Sequence, residues 1–195
     1  LKSSLSGWHG SSMLAVGDSL WVAHGNSLFV SRGDSLETVG SIPEAEFSCI
    51  TRRIDKCLVL GDKKGDVFLY DGQFRRVFKA AAGVTAILMD SDNNMWTGLA
   101  DGEIILVRKD CSSYELTGTL PKKEIRSIRE IQDGNLIVGA ADGLFRVSSV
   151  ELSCLPDHSG IPNKEAIWDI FKDRDGNVWG CTYYSGLWYR DKKPS

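Results

Sequence analysis

No apolar run in this sequence approaches the ~20 residues that a membrane-spanning helix requires, so we expect no transmembrane segment. The amino terminus, Leu1–Ser6, also lacks the apolar core of a secretory signal peptide. Because the chain has no initiator Met there, we expect a soluble fragment or a mature form whose address signal has been removed.

No charge of either sign dominates the sequence. The 23 basic and 26 acidic side chains leave a net charge of −3, which gives no reason to expect nucleic acid as a partner. The chain has 195 residues, of which 42% are hydrophobic, and this is enough to bury one core. We therefore predict a single globular domain over residues 1–195.

The cysteines and histidines form no pattern that is typical of a metal or redox site. His9, His24 and His158 are far apart in the sequence, and no C-x-x-C pair occurs. The five cysteines are an odd number, so at least one thiol should be free unless a partner chain supplies a sixth. Cys49 and Cys57 flank a predicted tight turn and could face each other, but we favour all five as small buried hydrophobic side chains.

Motifs of catalysis are missing as well. The sequence contains no G-x-S-x-G, no H-E-x-x-H and no phosphate-binding loop. A Ser-His-Asp triad assembles in space, so spacing alone leaves one open. Because no residue is singled out for such a role, we predict no catalytic function, no cofactor and no bound metal.

What the sequence does contain is a repeat of about 40 residues. Its clearest copy, Ala166–Arg190, has three short β-rich segments separated by the turns Asp173–Asn177 and Tyr183–Gly186. The anchor of this copy is Trp179, and successive anchors along the chain are 37, 38, 41 and 42 residues apart. The anchors of the other copies are Trp21, Leu58, Trp96 and Ile137.

Each copy follows one plan. A first strand with two apolar positions three residues apart, as in Ile167–Ile170, precedes the anchor strand. A small or polar turn, a third strand and, in most copies, a fourth apolar segment come next. Alternation between apolar and polar residues is weak, which indicates that both faces of each sheet are buried.

This plan predicts an all-β fold, a β-propeller built of five four-stranded repeat units, as a closed five-blade ring or as part of a larger ring. The expected repeats are approximately 9–46, 47–83, 84–124, 125–165 and 166–195. The last copy stops after its third strand, so we expect residues 1–8 to supply the missing outer strand and to cover the sheet edge. The alternative is that the chain is a piece of a larger ring.

The best copies resemble the two-component regulator propeller repeat. The copy from Ile167, I-W-D-I-F-K-D-R-D-G-N-V-W-G-C-T-Y-Y-S-G-L-W-Y-R, matches the family pattern along its whole length. The copy from Val84, V-T-A-I-L-M-D-S-D-N-N-M-W-T-G-L-A-D-G, matches it well. The resemblance implies a sensor propeller of a bacterial hybrid histidine kinase, located in the periplasm, with an oligosaccharide or similar small solute as its ligand. Lyase and lactonase propellers share D-x-D-G-N-x-W, so such an enzyme is the alternative.

The acidic turn Asp173–Asn177 also resembles the start of an EF-hand calcium loop. That loop needs a bidentate acid at its twelfth position, which is Tyr184 when counted from Asp173. We therefore interpret the turn as a hairpin whose aspartates cap their own backbone.

A ligand site is expected on the face where the entry loops and the loops between second and third strands open. Trp168 and Arg126 lie at equivalent positions near the start of their first strands, and Tyr183 and Tyr184 stand where other copies carry small or polar residues. Aromatic faces with planar polar groups suit sugar rings. The candidate ligand-binding residues are Trp168, Tyr183, Tyr184, Arg126, Lys123, Lys164, Asp101, Asp142 and His24. The tryptophans expected in the core between blades are Trp21, Trp96, Trp179 and Trp188.

Together these features predict a non-catalytic ligand-recognition propeller, the sensing module of a two-component signalling protein. The expected partners are a small-molecule or oligosaccharide ligand and either a second copy of the chain or the remainder of a larger signalling chain. A large exposed apolar patch would instead favour a protein–protein interaction scaffold.

Overall fold

The structure is a computed structural model that describes residues 12–109, 114–119, 123–131, 134–148, 154–156 and 165–191. Every regular element in these ranges is a β-strand, and each sheet is antiparallel. The first sheet contains β1 (Ser12–Val16), β2 (Ser19–His24), β3 (Ser27–Arg32) and β4 (Ser35–Ser41), and the second contains β5 (Phe47–Arg52), β6 (Leu58–Asp62), β7 (Asp66–Tyr70) and β8 (Phe74–Lys79).

The remaining sheets repeat the same order of neighbouring strands. The third contains β9 (Val84–Met89), β10 (Met95–Leu99), β11 (Glu103–Val107) and β12 (Tyr114–Thr119). The fourth contains β13 (Ile125–Glu130), β14 (Asn135–Ala140), β15 (Gly143–Ser148) and β16 (Cys154–Pro156). The fifth has the three strands β17 (Ile167–Lys172), β18 (Val178–Thr182) and β19 (Leu187–Arg190).

The predicted β-propeller of five repeat units is confirmed. The chain divides into two compact units, Leu1–Ile87 and Leu88–Ser195, and the division falls within β9. Residues 1–8, predicted to complete the last blade, lie outside the described residues. Within those residues the structure contains no helix with the length and hydrophobicity needed to cross a membrane.

Strand register corrects one predicted anchor. Val59 pairs with Thr51 in the β5–β6 ladder, as Trp179 pairs with Phe171 in the β17–β18 ladder. The residue equivalent to Trp179 is therefore Val59, and the choice of Leu58 is wrong by one position. The error arises because this copy lacks both the Trp and the Asp-Gly turn. The sequence alone therefore does not show which of the adjacent aliphatic residues, Leu58 or Val59, occupies the anchor position.

A carboxylate holds the turn in two of the repeats. Asp173 accepts hydrogen bonds from the backbone N–H of Asn177 at 2.9 Å and from the indole Nε1 of Trp179 at 3.0 Å. Asp90 accepts the equivalent indole bond from Trp96 at 2.8 Å. These contacts are those of a capped hairpin turn, and they explain why an acid precedes each of these tryptophans by six residues.

The aspartate and the tryptophan are both missing in the second and fourth repeats. In the fourth repeat the two positions are Ile131 and Ile137, and in the second they are Arg53 and Val59. The backbone bond that closes the turn persists, from Ile131 N to Asn135 O at 2.8 Å and from Arg53 N to Cys57 O at 2.9 Å. The turn conformation therefore depends on the backbone, and in the third and fifth repeats the acid in addition accepts the indole N–H of the anchor tryptophan.

Glycine in the second strand allows adjacent sheets to approach closely. A Cβ placed on Gly139 would lie 2.6 Å from Cγ2 of Ile167, and one on Gly98 would lie 2.8 Å from Cβ of Ile125. Any side chain at either position would collide with the first strand of the next sheet. In the fifth sheet the equivalent residue is Cys181, which is half-buried.

Serine side chains add a polar link between neighbouring first strands. Ser127 Oγ accepts a hydrogen bond from the Ile170 N–H at 3.1 Å, and Ser12 Oγ accepts one from the Ile50 N–H at 3.2 Å. The two serines occupy the same repeat position, because Ser127 pairs with Gly139 and Ser12 with Ala23.

Three cysteines have described side chains, and all three are free. Cys49 is buried beside Gly61 and does not face Cys57, and burial raises the pKa of its thiol to about 12. Cys57 and Cys181 are half-buried, so the expectation of a buried thiol holds for Cys49 alone among these three. The side chains of Cys111 and Cys154 lie outside the described part.

The four tryptophans expected in the core differ in burial. Trp96 is fully buried, whereas Trp21, Trp179 and Trp188 are half-buried. Trp188 packs against the core of the second unit, which includes Ile167 and Ile170. Trp21 packs in the same way against the core of the first unit.

The fifth sheet has one open face in the described structure. Phe171, Leu187 and Tyr189 are exposed on it, and the Tyr189 ring lies 4.4 Å from that of Trp179. Register places these side chains opposite the face that packs on the fourth sheet. Trp179 is half-buried because this face is uncovered.

We predict that Trp179→Phe makes stability less sensitive to acid. The indole hydrogen bond is the largest cause that holds the pKa of Asp173 below its ordinary value of 3.8. A carboxyl with a depressed pKa stabilises the fold above the unfolded value, and this stabilisation is lost as the pH falls below about 3.8 through the folded pKa. The fall in melting temperature between pH 6 and pH 3 should therefore shrink in the variant. Trp188→Phe, on the opposite sheet face, is the control and should keep the wild-type difference.

We also predict that Gly139→Ala destabilises the fold by about 1–3 kcal/mol, because the new methyl group overpacks the contact with Ile167. Urea unfolding measures the change. The matched control is Gly180→Ala, whose Cβ would meet the half-buried Trp188 ring at 3.1 Å and can displace it. An equal loss of stability in both variants would contradict a special role for close approach at Gly139.

Candidate functional site

In three repeats, a backbone hydrogen bond holds the entry loop against the turn between the second and third strands. Tyr183 N donates to Ala166 O at 3.0 Å, and Ala141 N donates to Glu124 O at 3.0 Å. In the first unit, Lys63 N donates to Glu46 O at 2.9 Å in the same way. The two loop sets of a repeat therefore open at one edge of the sheet, as the sequence predicted.

A bulge places Arg126 and Trp168 at that edge. The β13–β14 ladder shifts register between Ile125 and Ser127, and the β17–β18 ladder shifts between Ile167 and Asp169. Arg126 and Trp168 are thus the unpaired residues of equivalent bulges. A bulge redirects one side chain out of the regular alternation, and the two long side chains here follow directly on the buried Ile125 and Ile167.

Three aromatic rings form an exposed group that we call the aromatic cluster: Trp168, Tyr183 and Tyr184. Their exposed fractions are 50%, 57% and 85%. The rings of Trp168 and Tyr183 lie 6.0 Å apart, and those of Tyr183 and Tyr184 lie 4.6 Å apart at 75°. Rings of this size are usually buried, so a contiguous exposed group is a candidate contact surface.

Arg126 supports the cluster from the fourth sheet. Its Cζ lies 4.1 Å from the centroid of the Trp168 ring, a cation–π contact, and its Nε donates to Glu124 Oε2 at 3.1 Å. The side chain is 19% exposed. Its Nη1 is buried and makes no hydrogen bond to any described residue, so one directed donor stays available.

Glu165 braces the turn that carries the tyrosines. Its Oε1 accepts hydrogen bonds from the backbone N–H of Tyr184 at 2.9 Å and of Ser185 at 2.5 Å. Hydrogen bonding, from Ser185 first, lowers the pKa of this carboxyl, which is therefore ionised at neutral pH. Glu165 is 7% exposed, and among the described residues its Oε2 has no hydrogen-bond partner.

Asp142 offers a second acceptor near the same edge. It follows β14 by two residues, and the last residue of that strand, Ala140, pairs with Ile125 beside Arg126. The carboxylate is half-buried, and its Oδ1 lacks a hydrogen-bond partner within the part of the chain that the structure describes.

The other predicted site residues are placed differently. Lys123 is exposed in the loop before β13, and Asp101 caps its own turn by accepting a hydrogen bond from Glu103 N at 3.1 Å. His24 ends β2 in the first unit, where it is half-buried. Lys164 lies outside the described residues. The structure therefore brings Trp168, Tyr183, Tyr184 and Arg126 together and places Asp142 near their edge. Within the second unit, no described contact joins Lys123 or Asp101 to them.

Glu165 and Glu124 were not among the ligand-binding residues predicted from the sequence. A signal was available, since an acid precedes the first strand closely in three repeats, at Glu46, Glu124 and Glu165. Charged residues in loops are usually solvated, and only the fold shows that one of these acids is buried under a turn.

The site combines exposed aromatic faces with a directed donor and two directed acceptors. A sugar ring presents both an apolar face and hydroxyl groups that donate and accept, so it matches this set. Among the described residues, no three His, Cys, Asp or Glu side chains are grouped so that they could hold a metal ion.

Comparison with known proteins identifies a repeat family in this region. Residues 160–184 match the model of the family described as "Two component regulator propeller". This segment includes Glu165, Trp168, Tyr183 and Tyr184. No curated protein sequence matches the chain.

Solved structures share the fold at low sequence identity. The extracellular domain of BT4673 from B. thetaiotaomicron, described as a one component system, aligns with a TM-score of 0.79 at 20% identity, over 94% of this chain and 27% of that one. The extracellular domain of BT3049 from the same organism, described as a hybrid two component system, aligns with a TM-score of 0.72 at 20% identity, over 90% and 26%.

An enzyme has a similar fold. A catalytically inactive virginiamycin B lyase from Staphylococcus aureus, solved with quinupristin, aligns with a TM-score of 0.75 at 13% identity, over 95% of this chain and 71% of that one. The chain spans about a quarter of the length of the two B. thetaiotaomicron structures, 27% and 26%. The chain thus carries the two-component regulator propeller repeat on a β-propeller fold, which confirms the family resemblance predicted from its sequence.

Proposed function

We propose that this chain is a non-catalytic sensing propeller of an extracytoplasmic signalling protein, and that it binds an oligosaccharide or similar polyhydroxylated solute at the aromatic cluster. The observation that carries the proposal is the exposed group of Trp168, Tyr183 and Tyr184 beside the buried, unpaired Nη1 of Arg126. The extracellular domains of one component and hybrid two component systems with the same fold support the sensing role and a periplasmic location.

The polar atoms favour a hydroxyl-rich ligand. Arg126 Nη1 can donate, while Glu165 Oε2 and Asp142 Oδ1 can accept, and each is buried without a partner among the described residues. Leaving such groups unpaired costs free energy, so a ligand or ordered water that supplies partners is favoured. Sugar hydroxyls can satisfy both kinds of atom, whereas a purely apolar ligand would satisfy neither.

Several hydrogen bonds hold the turn that presents the tyrosines. Thr182 Oγ1 accepts from Ser185 N at 3.0 Å, and Glu165 accepts from the same N–H and from Tyr184 N. Binding should therefore cost little conformational entropy at this turn. A ligand that touches Arg126 and Trp168 spans two sheets and stabilises one arrangement of them, which a partner copy or the remainder of a larger signalling chain could detect.

The test is a thermal-shift screen of wild-type protein against neutral and acidic mono- and oligosaccharides, with and without Ca²⁺. A bound sugar at a hundredfold excess over its Kd stabilises by about 2.7 kcal/mol, which raises the melting temperature of a chain of this size by roughly 5–10 °C. We expect at least one sugar to give such a shift. Trp168→Ala and Tyr184→Ala should each weaken its binding at least tenfold, because they remove stacking faces.

Phe171→Ala is the matched control, since Phe171 is an exposed aromatic residue of the same sheet that lies outside the cluster. Its sugar affinity should equal that of wild type. Failure of every sugar to raise the melting temperature, or equal loss of affinity in all three variants, would count against binding at this cluster.

A streptogramin-type lyase is the second candidate, which the virginiamycin B lyase fold favours. Incubation with quinupristin followed by mass spectrometry distinguishes the two. We expect the antibiotic to remain intact, and time-dependent cleavage by the purified chain would replace the sensing proposal with an enzymatic one.

A protein–protein interaction scaffold is the third candidate. The exposed face of the fifth sheet, with Phe171, Leu187 and Tyr189, is the feature that favours it. This candidate would gain support if Leu187→Lys abolished a self-association detected by analytical ultracentrifugation while sugar binding stayed unchanged.

A further inference from the structure

The first unit contains a cavity of about 630 Å³ that none of the residues of the aromatic cluster lines. Its walls come from the first and second sheets, and its volume lies within the range that small-molecule sites occupy. Trp21 and Tyr70 form part of the lining, with ring centroids 6.2 Å apart in an edge-to-face arrangement. The Tyr70 hydroxyl donates to Val39 O at 3.3 Å, which fixes the orientation of that ring.

A shortened turn explains why the cavity exists here. β1 and β2 are joined by Gly17 and Asp18 alone, because Val16 pairs directly with Ser19. In the fifth sheet, the equivalent connection runs through residues 173–177. Val16 and Ser19 both line the cavity. The missing residues of the turn therefore leave space at the end of the first sheet.

Equivalent residues in later repeats show what normally fills this position. Arg52, Glu130 and Lys172 each end the first strand of their sheet and pair with the first residues of the second strand. Glu130 reaches the turn of the preceding repeat, where it accepts hydrogen bonds from Ser91 N at 2.9 Å and Ser91 Oγ at 2.6 Å. Lys172 Nζ donates to Ile131 O at 3.1 Å, again in the preceding turn.

Arg52 has no such turn to reach. It is half-buried, it lines the cavity, and its side chain makes no ion pair or hydrogen bond with any residue that the structure describes. A partly buried guanidinium without an acceptor favours an anion that can bind it in a bidentate geometry. The shortened turn thus creates both the space and the unpaired cation.

The charges around the cavity favour a negative ligand. Two lining charges are already paired: Arg32 with Glu37 at 2.9 Å, and Asp55 with Arg53 at 3.3 Å. The lining charges without an ion pair among the described residues are Arg52 and Lys56, which are positive, and Asp71, which is negative. The net charge of these three lining side chains is therefore +1.

We propose that this cavity binds a small organic anion, a monocarboxylate that carries an apolar ring. The carboxylate would pair with Arg52, and the ring would lie against Trp21 and Tyr70. The proposal is independent of the sugar site, because it depends only on residues of the first unit.

Cys57 provides a reporter within the same cavity. Its thiol is half-buried and free, so a bound ligand should slow its reaction with a maleimide. Cys49, which is buried, is an internal reference for opening of the fold. Mass spectrometry of the two cysteine peptides separates local protection of Cys57 from general stabilisation.

The experiment compares 3-phenylpropionate with its neutral analogue 3-phenylpropanamide by isothermal titration calorimetry, at up to about 10 mM ligand. We expect the acid to bind at least ten times more tightly than the amide and to slow Cys57 labelling at least threefold. Arg52→Gln should weaken acid binding at least tenfold, and Arg52→Lys should retain more of it. Arg75→Gln, an exposed arginine outside the cavity, is the matched control and should bind as wild type does.

Several outcomes would overturn the proposal. These are the absence of both heat and Cys57 protection with the acid, equal binding of acid and amide, and unchanged binding by Arg52→Gln. Circular dichroism melts of each variant come first. If Arg52→Gln does not fold, the comparison of the acid with the amide on the wild-type protein tests the proposal by itself, because it requires no variant.

Discussion

The close contact between the second strand of one sheet and the first strand of the next is the constraint on which the rest of this structure depends. Ile125 and Ile167 pack directly onto Gly98 and Gly139, where no side chain fits. The bond from Ile170 N to Ser127 Oγ adds a fixed polar link at the same interface. Where both faces of a repeat are used for packing, functional variation is left to the turns and to the bulged first-strand residue.

The turns between the first and second strands differ between repeats for two reasons. In the third and fifth repeats, Asp90 and Asp173 accept the indole N–H of Trp96 and Trp179. Where the tryptophan is replaced, the acid is replaced as well. The two-residue turn Gly17–Asp18 between the first and second strands leaves Arg52 without the turn residues that Glu130 and Lys172 contact in their repeats, and a cavity follows from that loss.

The aromatic cluster connects neighbouring repeats through one contact. Arg126 belongs to the fourth sheet and stacks on Trp168 of the fifth, so its position reports how the two sheets are arranged. A ligand that engaged both residues would favour the arrangement of the sheets that keeps this contact, which is the requirement for coupling binding to a change of shape. A sensing propeller can therefore act with rigid sheets and small displacements between them.

The sequence by itself determined the strand content, the five repeats, the β-propeller fold and the capped acidic turn, because these follow from local patterns that recur. It also marked Trp168, Tyr183 and Tyr184 as departures from the repeat. Register at Val59, the burial of Glu165 and the unpaired side chain of Arg52 were decided by tertiary structure alone. Each depends on which residues of another strand or sheet lie within contact distance. Such distances cannot be read from a single sequence.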